Sequence, residues 1–209
     1  MKRIGIIGGT FDPVHNGHIM LAESALLDYD LDMVGFMPTG VSPHKGRVKE
    51  STLSQRLDML KFAIACNDKF FLMRDEIDSN DEICFTYKTL TRLKEKHPDT
   101  HYFFIIGGDS LKDFKGWRHP EIICKKATIL AAVRDEIEGS SFKGIIDDLN
   151  RRFDADIRPL KAKKFHVSSH ELREMIKCGE NIENLVPVGL YEYVKKNKIY
   201  GHQRDKKET

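Results

Sequence analysis

Two histidines three positions apart, His15 and His18, follow a glycine pair in the run Gly8-Gly9-Thr10-Phe11-Asp12-Pro13-Val14-His15-Asn16-Gly17-His18. The run passes from an apolar stretch, Arg3–Gly9, into an amphipathic one beginning at Gly17, which places it between a strand and a helix. Glycines there let backbone amides come close to a polyphosphate, and a helix start offers favourable partial charge to anions. Two imidazoles at such a start can face one ligand and donate to phosphate oxygens, which suits a transition state that spreads negative charge. A metal site is one alternative, although His-x-x-His has no obvious third ligand nearby; a pair of surface histidines is another. The run has neither the Gly-Lys-Ser/Thr of a Walker loop nor the Gly-x-Gly-x-x-Gly of dinucleotide binders, so its chemistry differs from both.

Ser168-Ser169-His170-Glu171-Leu172-Arg173 supplies a second anion site by type: a helix start, two hydroxyls, and an arginine one turn in, suited to β- and γ-phosphates. A serine N-cap before a solvated helix is the plain alternative. Asp109, at a strand end behind Gly107, can accept hydrogen bonds from ribose hydroxyls or cap the next short helix. His44 and Lys45, with Arg47 beyond, either reach phosphates or form a solvated basic loop.

These residues need a frame that brings distant segments to one edge. Apolar runs at Arg3–Gly9, Met33–Pro38, Phe70–Arg74, Tyr102–Gly107, Thr128–Arg134 and Ala155–Leu160 read as buried parallel strands. Amphipathic segments near Gly17–Tyr29, Leu53–Ala65, Thr86–Lys96, Glu121–Lys126 and Gly144–Phe153 separate them, and Ser168–Cys178 and Pro187–Lys196 follow. The pattern predicts an α/β, doubly wound, Rossmann-like parallel sheet of about six strands, with helices on both faces and C-terminal helices. In such a sheet ligands gather beyond the C-terminal strand ends, and all the residues above, with Arg134 after the fifth strand, fall there.

The 209 residues predict one domain over 1–200 and a flexible basic tail over 201–209. A net charge of +2, with both signs interspersed, gives no nucleic-acid-binding stripe. Cys66, Cys84, Cys124 and Cys178 are far apart and read as reduced structural thiols. With no membrane-spanning stretch, and an N-terminus that opens directly into a strand pattern, the expectation is a cytoplasmic protein; a homo-oligomer stays open.

The first run resembles the His/Thr-x-Gly-His signature of the nucleotidyltransferase superfamily, and the second is similar to its Ser-Ser-Thr-x-Ile/Val-Arg hallmark. Within that superfamily nearly the whole chain resembles the bacterial nicotinate-nucleotide adenylyltransferases. Pro38-Thr39-Gly40-Val41-Ser42-Pro43-His44-Lys45 is similar to their Pro-Asn-x-x-Pro-Pro-His-Lys, and Ile106-Gly107-Gly108-Asp109-Ser110-Leu111 with Trp117 to their Ile-Gly-x-Asp-Ser-Leu and downstream Trp. Thr39, Ser42, Phe85, Lys88 and His170 depart from the family pattern, mostly in the acceptor pocket, which leaves nicotinate and nicotinamide mononucleotides both open as acceptors.

The resemblance implies transfer of the adenylyl group of ATP to nicotinate mononucleotide. Within enzymes the rival is a pantetheine-phosphate adenylyltransferase; outside them, a nucleotide-sensing module without turnover. ATP would lie on Gly8, Gly9, Thr10, Phe11, His15, Gly17, His18, Gly107, Asp109, Arg134, Ser168, Ser169 and Arg173. The acceptor would lie on Thr39, His44, Lys45, Thr86, Asp109, Trp117 and Arg118. Trp117 would stack on the pyridine ring, the other reading being a side chain that closes one side of the core. Catalysis would fall to His15, His18, Lys45 and Arg173, with Mg²⁺ bridging the departing pyrophosphate and no metal held by the protein itself.

Overall fold

The computed structural model describes residues 1–40, 50–79, 81, 83–133, 136–162 and 165–201. Six parallel strands, β1 (Arg3–Gly9), β2 (Met33–Pro38), β3 (Phe70–Leu72), β4 (His101–Ile106), β5 (Ala127–Val133) and β6 (Ile157–Lys161), form one sheet in the order β3-β2-β1-β4-β5-β6. The doubly wound α/β sheet expected from the sequence is present. The chain leaves β1 toward β2 on one side and later returns to pair β4 on its other side, so the strand order reverses between β1 and β4.

Alternation along the strands divides the core between the two faces. On β4, Tyr102, Phe104 and Ile106 belong to one apolar cluster and Phe103 and Ile105 to the other. Helices α1 (Asn16–Asp28), α2 (Leu53–Ile64), α7 (Ser169–Lys177) and α8 (Leu190–Lys196) supply the cluster around Phe36 and Phe103; α3 (Thr86–Lys96), α4 (Gly108–Asp113), α5 (Pro120–Lys126) and α6 (Glu136–Phe153) supply the other. Fully buried side chains such as Phe36 and Phe103 each stabilise the fold by about 1.5–3 kcal/mol relative to exposure.

Several bounds differ from the sequence reading. Helix α8 starts at Leu190 rather than Pro187, because Gly189 takes a left-handed φ of 81° that no helix interior allows. Helix α6 runs straight through Gly144 instead of starting there; a Cβ at Gly144 would meet no atom within 4 Å, so nothing packs against that position to demand a larger side chain. The six-residue α4 is too short for a periodic signal, and Asp109 lies in its first turn while Gly107 caps it. Among the described residues no helix is long and apolar enough to cross a membrane.

Candidate active site

Strand β1 ends where the amide of Thr39 donates to the carbonyl of Gly9 at 2.8 Å, and the chain then turns inward. Phe11, at a left-handed φ of 50°, drops its ring into the core, tilted against Phe36 and edge-on to His18 with centroids 5.1 Å apart. Helix α1 begins one residue after His15, which stands at the N-cap in extended conformation. The His15 amide donates to Nδ1 of His18 at 3.3 Å, which leaves the proton of a neutral His18 on Nε2. The two imidazoles lie 3.8 Å apart, and Phe165, four residues past the end of β6, stacks on His15 at 5.1 Å with an interplanar angle of 11°. Gly17 is required by this packing: a Cβ there would sit 2.6 Å from Phe165 Cδ1 and 3.0 Å from the His15 ring.

Arg56 braces the same turn from below. Its side chain, 2% exposed, donates from Nη1 to the carbonyls of Thr10 at 2.8 Å and Thr39 at 3.0 Å, tying together the exits of β1 and β2. Burial lowers the pKa of its guanidinium, and the neighbouring Asp12 and Tyr200 oppose that shift. Arg56 shares the buried face of α2 with Met59, Leu60 and Ala63. An arginine at apolar helical spacing is therefore the signal by which the sequence could have revealed it.

From the far end of the chain, α7 closes the opposite wall. Ser168 caps the helix through a reciprocal pair with Glu171, accepting from the Glu171 amide at 3.2 Å while the Ser168 amide donates to the Glu171 carboxylate at 2.7 Å. The Ser169 hydroxyl donates to the carbonyl of Pro13 at 2.9 Å. The Ser168 hydroxyl thus closes the first turn of α7, while that of Ser169 docks the helix on the first loop. Arg173 donates from Nη1 to the carbonyl of Asp12 at 2.8 Å and from Nε to the Glu50 carboxylate at 2.8 Å. Hydrogen bonds from Lys177 and then Arg173 hold that carboxyl below its ordinary pKa.

Between these walls, above the β1–β4 seam, opens a cleft of about 820 Å³. Gly8, Gly9, Thr10, Phe11, His15, Gly17, His18, Gly107, Asp109, Trp117, Ser168, Ser169 and Arg173 all line it, so most positions singled out from sequence share one cavity. Asp109 projects from the rim, 83% exposed, beside Lys112. Trp117 packs on Phe114 at 5.3 Å and edge-on to Phe104 at 6.2 Å, so it both borders the cleft and covers one core. His166 and His170 also reach the cleft, and with Phe165 they were not foreseen as site residues. His44, Lys45 and Arg134 lie outside the described residues.

Thr39, Thr86 and Arg118 are not among the residues lining the cleft. Thr86 opens α3, half-buried, and Arg118 is exposed next to Trp117. Thr39 sits over Glu76, a carboxyl 5% exposed whose pKa burial pushes up to about 7, with hydrogen bonds from Thr39 and Thr89 pulling the other way. Among the described residues no group of three or more His, Cys, Asp or Glu side chains is arranged to hold a metal ion.

The sequence from residue 6 to 175 matches the family model described as cytidylyltransferase-like. A protein of Lachnoclostridium phytofermentans named "probable nicotinate-nucleotide adenylyltransferase" is 36% identical over 96% of this chain and its own entire length. One of Clostridium tetani with the same name is 34% identical over the same shares. Among solved structures, Plasmodium falciparum nicotinic acid mononucleotide adenylyltransferase complexed with NaAD superposes with a TM-score of 0.78 at 20% identity, covering 97% of this chain and 99% of that one. The same enzyme complexed with APC gives 0.76 over the same shares.

Proposed function

The chain belongs to the cytidylyltransferase-like family, and on that premise we propose that it joins the adenylyl group of ATP to nicotinate mononucleotide, releasing pyrophosphate and forming nicotinate adenine dinucleotide for NAD biosynthesis. The observation that carries this is the cleft on the β1–β4 seam, into which the first loop, α1 and α7 bring amides, two imidazoles and a guanidinium. An oxygen of the mononucleotide phosphate attacks the α-phosphorus of ATP, and the bond from that phosphorus to the β-phosphate bridge breaks, its electron pair leaving with pyrophosphate. The attacking phosphate is ionised at neutral pH, so no general base is needed and catalysis rests on positioning and charge neutralisation.

In this reading Thr10, His15 and His18 hold the α-phosphate, with Gly8, Gly9, Phe11, Gly17, Gly107, Asp109, Ser168 and Ser169 shaping the ATP site and Arg173 neutralising the outgoing phosphates. Lys45 and His44 serve the phosphates from the loop after β2, Arg134 from the end of β5, and Trp117, Thr39, Thr86 and Arg118 serve the acceptor. Mg²⁺ would enter with ATP and would neutralise charge on the departing pyrophosphate. Residues 1–200 act as one domain, supported by the continuous sheet and by the bond from Tyr200 back to Asp12. Four free thiols suit a reducing compartment, the cytoplasm.

Incubation with ATP, Mg²⁺ and, in separate reactions, nicotinate mononucleotide, nicotinamide mononucleotide and phosphopantetheine tests the reading by product mass. A dinucleotide from nicotinate mononucleotide, formed fastest of the three, is expected. Adenylylated phosphopantetheine, or ATP binding with no product at all, overturns it.

A further inference from the structure

Asp12 lies at the meeting point of three distant parts of the chain. Its carboxylate, on a residue 5% exposed, accepts from the Tyr200 hydroxyl at 2.6 Å, from the Ser51 hydroxyl, and from the Glu50 amide at 3.2 Å. Its carbonyl accepts from Nη1 of Arg173 at 2.8 Å, and the Glu50 side chain pairs with Nε of the same guanidinium. A single residue of the phosphate loop is therefore fixed by its side chain to the C-terminal turn and by its backbone to the arginine of α7.

Tyr200 is held in place for this contact. Its ring is 4% exposed, and its φ of 65° is a left-handed conformation that a bulky side chain adopts only when its surroundings impose it. Burial, and then the adjacent carboxylate, keep the phenol protonated far above neutral pH, so it acts as a donor throughout the working range. A hydrogen bond to a buried charged group is among the stronger ones, and its loss leaves the acceptor partly unsatisfied.

We propose that Tyr200 is a positioning residue for adenylyl transfer: through the Asp12 carboxylate it fixes the Asp12 carbonyl, and that carbonyl sets the Arg173 guanidinium at the cleft. The proposal rests on the adenylyl-transfer reading. It predicts that Arg173 acts at full strength only while the C-terminal turn is docked, although Tyr200 does not itself line the cleft.

The test compares Tyr200→Phe, Arg173→Lys and the double variant, assayed as full chains for pyrophosphate release with ATP and nicotinate mononucleotide, with thermal melts alongside. Tyr200→Phe keeps the ring and removes only the donor; kcat should fall by about tenfold, the size of one lost hydrogen bond to a charged group, while KM for the acceptor changes little. The double variant should be about as slow as Arg173→Lys alone, because both act through the same guanidinium. A kcat for Tyr200→Phe within twofold of the parent, or losses that multiply in the double variant, overturns the proposal. If Tyr200→Phe does not fold, Ser51→Ala removes another donor to the same carboxylate and leaves the Tyr200 side chain in place. It must show the same non-additivity with Arg173→Lys, and its failure to do so overturns the proposal equally. A parent protein that makes no dinucleotide sinks the functional reading instead, so the two failures are distinguishable.

Discussion

The imidazole of His18 sits 3.8 Å from that of His15 and takes the hydrogen bond of the His15 amide on Nδ1. The His15 backbone thereby orients the His18 ring, and the Nε2–H of a neutral His18 becomes a donor with a defined tautomer. Replacing His18 by Ala should lower kcat by on the order of 10²-fold, as expected for one preorganised donor to a developing negative charge. Steady-state kinetics with saturating ATP measure this; an undiminished kcat removes His18 from the chemistry.

Gly17 should be intolerant of even one methyl group. The added carbon would lie 2.6 Å from Phe165 and 3.0 Å from the His15 ring, so the stacked pair must separate for Gly17→Ala to fold. Overpacking of this kind costs about 1–3 kcal/mol, and because the displaced ring borders the cleft, kcat/KM for ATP should drop more than stability does. Paired melts and kinetics decide it, and normal turnover in a folded Gly17→Ala protein contradicts the packing described.

Arg56 should matter for stability more than any charge on the surface. Arg56→Met leaves the carbonyls of Thr10 and Thr39 without their donor and Asp12 without its buried positive neighbour. The expected loss is about 3–5 kcal/mol in urea unfolding, the range seen when one partner of a buried charge is removed. A loss under about 1 kcal/mol would mean that water satisfies those carbonyls.

Glu76 predicts a loss of stability toward alkaline pH. Its pKa of about 7 in the folded chain stands above the ordinary 4.5, so the folded state binds this proton more tightly. The stabilisation is complete below about pH 4.5 and is lost as pH rises through 7, with a full span of about 3 kcal/mol. Glu76→Gln, which cannot ionise, should therefore melt higher than the parent at pH 8.5 and lose that advantage by pH 5. Parallel pH profiles for the two proteins would show that Glu76 ionises without cost where it lies.

Sheet, helices and most of the cleft were legible because their signals are local. Strand alternation, the glycine pair before His15 and the serines before Arg173 all sit within short windows of sequence. What escaped the sequence arises between windows. Phe165 matters by stacking on a ring 150 positions earlier, and Asp12 by collecting hydrogen bonds from residues 50, 51 and 200. The hydroxyls of Ser168 and Ser169 suit phosphate by type; here the first bonds Glu171 within its own helix and the second the Pro13 carbonyl, a contact that depends on how α7 docks. Arg56 and Glu76 are charged types that sequence reading assigns to the surface, and only their burial reveals them.

Strand β1 is the first to be synthesised and ends up in mid-sheet, with β2 on one flank and β4 on the other. While the ribosome is still working through α2 and α3, one side of Arg3–Gly9 has no partner, and its row of amides and carbonyls is a template onto which another nascent chain can zip. Codon changes that slow translation ahead of His101 should then lower soluble yield without altering the activity of the molecules that escape. Fragments stopped before that residue should pellet where fragments that include β4 stay in solution.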